Sequence, residues 1–306
     1  MRAWCLPHAR MHQLRMTGHG GAHEPVLRAA VVELLQVQRG GGYVDATAGM
    51  GGHTVALLEV GADRVLAIDT DPAAVRALRN RFAADPRVMV RHGNFRALAE
   101  LVALHAFRPV DGVLFDLGVS SPQLDEPARG FSFRHDASLD MRLDPTTGRT
   151  AAELVNTLSE QELADVLFQF GEERLARRLA RRIVQRRPLR TTGELVRAVA
   201  SATHGRTRIH PATRTFQALR IATNDELRAL SEGLDGARAV IAPGGLIVAI
   251  AFHSLEDRIV KQRFRAWAAA GDGAILTKKP WRPSAEEVAQ NPRARSARLR
   301  AIRWAE

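Results

Sequence analysis

Three aspartates stand where apolar runs end: Asp45 closes "GGYVD", Asp69 closes "DRVLAID" and Asp116 closes "VDGVLFD". Between the first two lies the turn "DATAGMGGHT", whose glycines leave room for a ligand to approach the backbone. The dinucleotide fingerprint G-x-G-x-x-G fails here, because the frame Gly49, Gly51 reaches Thr54 where the third glycine belongs. Asp69 follows Gly49 by 20 residues, the position from which a carboxylate accepts hydrogen bonds from ribose hydroxyls. Asp45, four residues before Gly49, sets a negative charge beside the loop. That charge opposes a pyrophosphate and favours a cation. A nucleoside cofactor that is cationic and free of phosphate fits both aspartates, and S-adenosyl-L-methionine, with its ammonium and sulfonium, is one.

Phe95, in "HGNF", is placed for an aromatic ring to pack against adenine, or for a core contact ahead of the next helix. Asp116 ends a strand at the edge where open α/β sheets bind ligands. His253, after "GGLIVAIAF", stands on the same sheet edge as a candidate base. "SLED" also reads as a capping box with Ser254 as the cap and Asp257 reaching back, which would leave His253 just ahead of a helix. His253 and Asp257 are spaced as a metal pair, but no further ligands complete a set, so no metal is expected.

These residues need a sheet to hold them. "GGYVDAT", "DRVLAID", "PRVMVRH", "VDGVLFD" and "GGLIVAIAF" have the short apolar signature of buried parallel strands. Helix-like stretches such as "DPAAVRALRNRFAA" separate the first four, a βαβ rhythm. Between Asp116 and Gly244 the rhythm breaks for more than a hundred residues, far more than a crossover requires. An inserted all-helical domain explains the gap. "GAILTKKP" and "ARLRAIRW" are expected to pair as terminal antiparallel strands. The expected division is a disordered tail over 1–22, a cofactor-binding domain over 23–121 and 212–306, and a helical insertion over 122–211.

The 306 residues include one cysteine, Cys5, which excludes a disulfide scaffold or a thiolate zinc site and fits a reducing cytoplasm. No run approaches the roughly 18 apolar residues of a membrane span, so a soluble protein is expected. Lys and Arg exceed Asp and Glu by 44 to 33, a formal charge of +11, which points to a polyanionic partner. Eight arginines in "EERLARRLARRIVQRRPLR" surround an apolar stripe of Leu175, Leu179 and Ile183 and are read as phosphate contacts. Arg293, Arg295 and Arg298 extend that basic surface.

Several long stretches resemble the bacterial RsmH (MraW) family, enzymes that methylate N4 of a decoding-centre cytidine in 16S ribosomal RNA. They include "DATAGMGGHT", "AIDTDP", "DGVLFDLGVSSPQLDEPARGFSFRHDASLDMRLD", "HPATRTFQALRIATNDEL" and "APGGLIVAIAFHSLEDRIVK". The resemblance implies a Rossmann-like class I methyltransferase sheet interrupted by a helical RNA-recognition domain. It implies cofactor contacts at Gly51, Gly52, His53, Asp69, Phe95, Asp116 and Gln123, the last on resemblance alone. The implied partner is 16S ribosomal RNA within the small subunit; a homodimer is left open.

Many amino-methyltransferases carry an (Asp/Asn)-Pro-Pro-aromatic tetrad after the fourth strand, and here that stretch is "DLGVSSP". Asp116, carbonyls of the "GVSSP" loop and the base candidate His253 therefore remain for handling the amine, with a base pocket expected from "FSFRHD". Two alternatives stand beside this reading. One is a methyltransferase of similar fold acting on another substrate, and the other is a non-catalytic RNA-binding assembly factor.

Overall fold

The computed structural model describes residues 25–37, 41–202 and 210–306. The expected tail, Cys5 and the start of "HEPVL" at His23 lie outside them.

Thirteen α-helices and seven strands follow one another along the described residues. The first part runs α1 (Arg28–Leu35), β1 (Gly42–Asp45), α2 (Gly52–Glu59), β2 (Arg64–Asp69), α3 (Pro72–Arg81), β3 (Val88–His92), α4 (Leu98–Leu104) and β4 (Val110–Asp116). Helices α5 (Ser121–Asp125), α6 (Ala151–Thr157), α7 (Glu160–Gly171), α8 (Ala176–Gln185), α9 (Thr192–Ala200), α10 (Ala212–Asn224) and α11 (Glu226–Val240) come next. The chain closes with β5 (Ile241–Ala251), α12 (Ser254–Ala269), β6 (Gly273–Ile275), α13 (Ala285–Gln290) and β7 (Arg298–Trp304).

The strands form one sheet in the order β3-β2-β1-β4-β5-β7-β6. The first five are parallel, and β7 lies antiparallel between β5 and β6, as the terminal pair was expected to do. This is the Rossmann-like α/β sheet that the βαβ rhythm predicts. Strand order reverses between β1 and β4, and the carboxyl ends of strands at such a switch open a crevice. Asp45, Asp69 and Asp116 are the last residues of β1, β2 and β4, so the topology alone brings them to that crevice.

Apolar clusters cover both faces of the sheet. One joins Val31, Leu35, Leu57 and Leu78 to Val65, Leu114 and Val248. The other joins Leu98, Leu234, Val260 and Phe264 to Leu66, Phe115 and Ile247. Strand β5 begins earlier than "GGLIVAIAF": Ile241 already pairs with Val110, and a bulge follows before Leu246 meets Gly112.

Helices α6 to α10 gather on a third core that includes Leu163, Leu167, Leu179, Ile183 and Leu195. The packing corrects one boundary. Residues 212–224 were assigned from the sequence to the sheet domain, but α10 buries Ala212, Phe216, Ala218 and Leu219 in the helical core. The return to the sheet falls at Asp225, whose left-handed φ of 50° breaks the long helical stretch into α10 and α11. Within α8, Leu179 and Ile183 are buried as the stripe predicts, whereas Leu175 precedes the helix and is 42% exposed.

Candidate active site

The turn after β1 is built by backbone geometry first. Gly49 and Gly51 adopt φ of +53° and +80°, values that L side chains rarely take. The surroundings of the three glycines differ. A Cβ on Gly51 would lie 2.8 Å from the Phe82 ring and 2.9 Å from Leu78, and one on Gly52 would press on Pro25 at 3.1 Å. Those two glycines serve packing. At Gly49 the nearest atom to an added Cβ is the Thr47 carbonyl oxygen at 4.0 Å, so this is the position that leaves the backbone open.

Asp69 anchors the loop from the next strand. Its carboxylate accepts hydrogen bonds from the Gly49 amide at 2.7 Å and the Asp71 amide at 2.8 Å. Burial pushes its carboxyl up to about 6, against the lowering effect of those two amides.

Asp45 is fully buried and accepts a hydrogen bond from the Thr54 hydroxyl at 2.7 Å. Its other oxygen has no partner, and burial holds its carboxyl above the usual range. The threonine that replaces the third glycine of a dinucleotide loop therefore holds the first aspartate.

His53 is also buried, with neither ring nitrogen hydrogen-bonded, and its Nε2 lies 3.5 Å from an Asp116 carboxylate oxygen. The other Asp116 oxygen is buried without a partner, while its amide donates to the Thr47 hydroxyl at 2.6 Å. Two carboxylates and an imidazole thus present unsatisfied buried atoms in one crevice. Buried polar atoms are normally paired, and orphans in a native site call for an explanation. Acceptors left without donors suit a cationic guest and reject a phosphate.

Phe95 sits in a 3-10 turn (Phe95–Ala97) with its ring edge-on to Phe115, centroids 5.7 Å apart. Gly233 of α11 makes room for it, since a Cβ there would come within 2.7 Å of the ring. Phe95 as a whole is half-buried and packs against the second apolar cluster.

Gln123 is buried with both ends of its amide engaged. Its oxygen accepts the Ser120 amide at 2.9 Å, and its nitrogen donates to Asp71 at 2.9 Å. Asp71 was not singled out from the sequence as a site residue. It caps α3 by accepting from the Ala73 amide, and it accepts from Arg129 Nη1 at 2.7 Å. Burial disfavours the Asp71 charge, but the hydrogen bonds from Gln123, Arg129 and Ala73 outweigh it and hold the carboxyl low. "DP" signals the cap. Nothing local signals partners 52 and 58 residues away.

His253 is where the capping prediction is off by one. The cap of α12 is His253 itself, not Ser254: its Nδ1 accepts the Glu256 amide at 3.3 Å. Glu256, not Asp257, reaches back, to the amides of Phe252 and His253 at 2.8 and 3.2 Å. The remaining ring nitrogen is 3.2 Å from a Glu256 oxygen. Asp257 turns to Arg300 and Arg298 instead.

Ligating atoms of Glu226, His253 and Glu256 do lie within 4.8 Å of one another. The Arg220 guanidinium, however, already binds Glu226 through two bonds of 2.8 and 2.7 Å and supplies the positive charge there. Of the "FSFRHD" stretch, Phe133 stacks on His210, centroids 4.6 Å apart.

The basic residues divide. Arg187 donates to the Val155 and Leu158 carbonyls, Arg181 meets Glu160, Arg293 meets Asp125 and Arg298 meets Asp257. Arg174, Arg177, Arg178 and Arg186 are exposed and have no side-chain partner among the described residues.

The sequence model of the MraW methylase family matches residues 21–305. A protein of Thermomicrobium roseum named "Ribosomal RNA small subunit methyltransferase H" is 54% identical over 303 residues, covering 91% of this chain and 92% of its own. Relatives of the same name in Synechococcus elongatus and Beijerinckia indica are 50% and 47% identical. They cover 91% and 92% of this chain, and 93% and 85% of their own. A match of that extent, on a sheet whose strand-end aspartates line the switch-point crevice, places the chain in the MraW methylase family, whose methyl donor is S-adenosyl-L-methionine.

Proposed function

We propose that the protein methylates N4 of a cytidine in the decoding centre of 16S ribosomal RNA, acting on the small ribosomal subunit in the cytoplasm. The observation that carries the cofactor half of this reading is the set of orphaned buried atoms on Asp45, His53 and Asp116. The substrate half rests on the relatives' name and on the motifs shared with their family. No helix among the described residues is long and apolar enough to cross a membrane, which fits a ribosome-directed enzyme.

When bound, S-adenosyl-L-methionine supplies an electrophilic methyl group on a sulfonium. The chain's own residues must hold donor and acceptor in line, which is the main source of rate for such a displacement. Asp69 accepts the ribose hydroxyls, using the sides of its carboxylate not taken by the Gly49 and Asp71 amides. Gly51, Gly52 and His53 shape the loop, Phe95 offers its ring to the adenine, and Asp45 supplies negative charge beneath the site. Gln123 borders the cofactor and ties the "GVSSP" turn to Asp71.

Asp116 has a buried acceptor oxygen free at the sheet edge. It accepts a hydrogen bond from the cytosine amine and then takes its proton. His253 supports this edge as the cap of α12, with both nitrogens turned to Glu256. The helical insertion recognises the RNA, with the unpaired arginines of α8 facing phosphates.

The test is methyl transfer from labelled donor to assembled small subunits, followed by mass spectrometry of the nucleosides. N4-methylcytidine at a single site is expected. Transfer to DNA alone, or to no nucleic acid, would overturn the reading.

A further inference from the structure

The cations of α12 fall into two groups. Arg258 meets Glu172 at 2.8 Å and Arg263 meets Asp235 at 3.0 Å. Lys261 and Arg265 have no carboxylate partner among the described residues, although like charges four apart weaken a helix. Residues four apart share one helix face, so Lys261 and Arg265 continue the row begun by Asp257.

That row borders a cavity of about 270 Å³ at the edge of the sheet, closed on the other side by β6 and β7. Lys261, Arg265, Lys278 and Arg300 line it, over a floor of Phe264 and Ile275. Lys278 likewise has no partner among the described residues. Its lining contains no acid. Asp257, one turn back on the same helix row, is held by Arg300 at 2.6 Å and by Arg298 at 3.2 Å.

We propose that this pocket binds a phosphate of the RNA backbone, away from the target base. The inference rests on the RNA reading above. Lining a concave site, the ammonium groups of Lys261 and Lys278 and the guanidinium of Arg265 offer donors that match the oxygens of a phosphodiester. A membrane surface fits less well, because binding there needs exposed apolar side chains, and those of α12, Val260, Phe264 and Trp267, are buried on the sheet.

The place suits a strand running from the active site. Helix α12 starts at the carboxyl edge of the sheet, where Ser254 and Arg258 touch Glu172 of the insertion. At about 1.5 Å per residue, Lys261 and Arg265 lie roughly 10 and 16 Å along the helix from Ser254. RNA leaving the crevice along α12 passes over the pocket.

The experiment measures binding of the full chain to 16S ribosomal RNA across a salt series, for wild type, Lys261→Gln/Lys278→Gln and Arg76→Gln/Arg79→Gln. The last pair sits exposed on α3, towards the opposite edge of the sheet, and removes the same charge. Each phosphate contact contributes about 0.7 to the slope of log affinity against log salt for a single strand. The pocket variant is expected to lower the slope by up to about 1.4 and to leave cofactor affinity unchanged; the α3 variant is expected to keep the wild-type slope. Lys278→Gln alone, outside any helix, is expected to lower the slope by about 0.7 and covers loss of folding in the double variant.

An unchanged slope in both pocket variants, or an equal fall in the α3 variant, overturns the pocket while leaving the RNA reading intact. Wild type that shows no salt-dependent RNA binding overturns both. Loss of binding to anionic phospholipid vesicles, with RNA binding unaffected, also overturns the pocket as an RNA site.

Discussion

Replacing Asp69 by Asn separates what this carboxylate does for the fold from what it does for the cofactor. Burial raises its carboxyl from 3.8 to about 6 in the folded protein. That difference corresponds to about 3 kcal/mol against the charged form. The folded state holds the proton more tightly than the unfolded chain, so this penalty is absent below pH 3.8, grows between 3.8 and about 6, and is complete at pH 7.

Asn removes the penalty but offers one acceptor oxygen where the carboxylate satisfies two amides, those of Gly49 and Asp71. One unpaired amide costs about 1–3 kcal/mol, so the apoprotein is expected to change little or to gain slightly in urea unfolding at pH 7. Cofactor binding should behave oppositely. Two hydroxyl donors to a charged acceptor are worth about 1.5–3 kcal/mol each, and even half of their sum is a loss of roughly ten- to a hundredfold in affinity.

Because a proton on Asp69 competes with those donors, wild-type affinity should weaken about tenfold from pH 7 to pH 5, while Asp69→Asn stays flat. Isothermal calorimetry at three pH values reads this directly. A pH-independent wild type, or an Asn variant that binds as tightly, refutes the assignment of ribose to Asp69.

Asp45→Asn retains an acceptor for Thr54 and removes a buried charge whose carboxyl is held high by burial. The apoprotein should melt higher at pH 7, with the gain shrinking as pH falls below the raised value and gone by the unfolded value of 3.8, while cofactor affinity drops at least tenfold; thermal melts and calorimetry check both. His253→Asn keeps a capping side chain, so methyl transfer should stay within a few-fold of wild type. A loss of a hundredfold or more with an intact fold would instead restore His253 as a base. Arg220→Met leaves Glu226 and the buried Glu256 without their guanidinium and should destabilise by about 3–5 kcal/mol in urea unfolding.

What was legible in the sequence was what depends on strand period and chain order. Apolar runs ending in Asp45, Asp69 and Asp116 mark strand ends, and parallel strands put their carboxyl ends on one edge, so their convergence needs no knowledge of packing. The return of β7 between β5 and β6 was legible only as a pairing, because two short terminal strands do not reveal the edge they join.

Contacts across the chain were not legible. Arg187, Arg293 and Arg298 look like their unpaired neighbours in a basic stretch until Val155, Asp125 and Asp257 are placed beside them. The shift of the α12 cap from Ser254 to His253 has the same cause. "HSLE" and "SLED" both offer a cap and an acid three residues on, and the choice falls to Arg220, which lies beside Glu256 and Glu226 from two helices away.

The glycine loop shows how ligand choice and loop shape come from different residues. Gly51 answers to its positive φ and to Phe82 and Leu78, so it would be required whatever the crevice held, and Gly52 packs tightly against Pro25. Gly49 leaves its backbone open but gives its amide to Asp69. A dinucleotide loop leaves such amides free for pyrophosphate at the helix N-terminus. Here Asp69 has taken one of them, and Thr54 holds Asp45 beneath the turn. Asp45 thus sets a carboxylate under the turn where a phosphate would sit, and a second, Asp116, borders it beside His53. Restoring the third glycine at Thr54 would not make this a dinucleotide site, since the aspartates that exclude phosphate would remain.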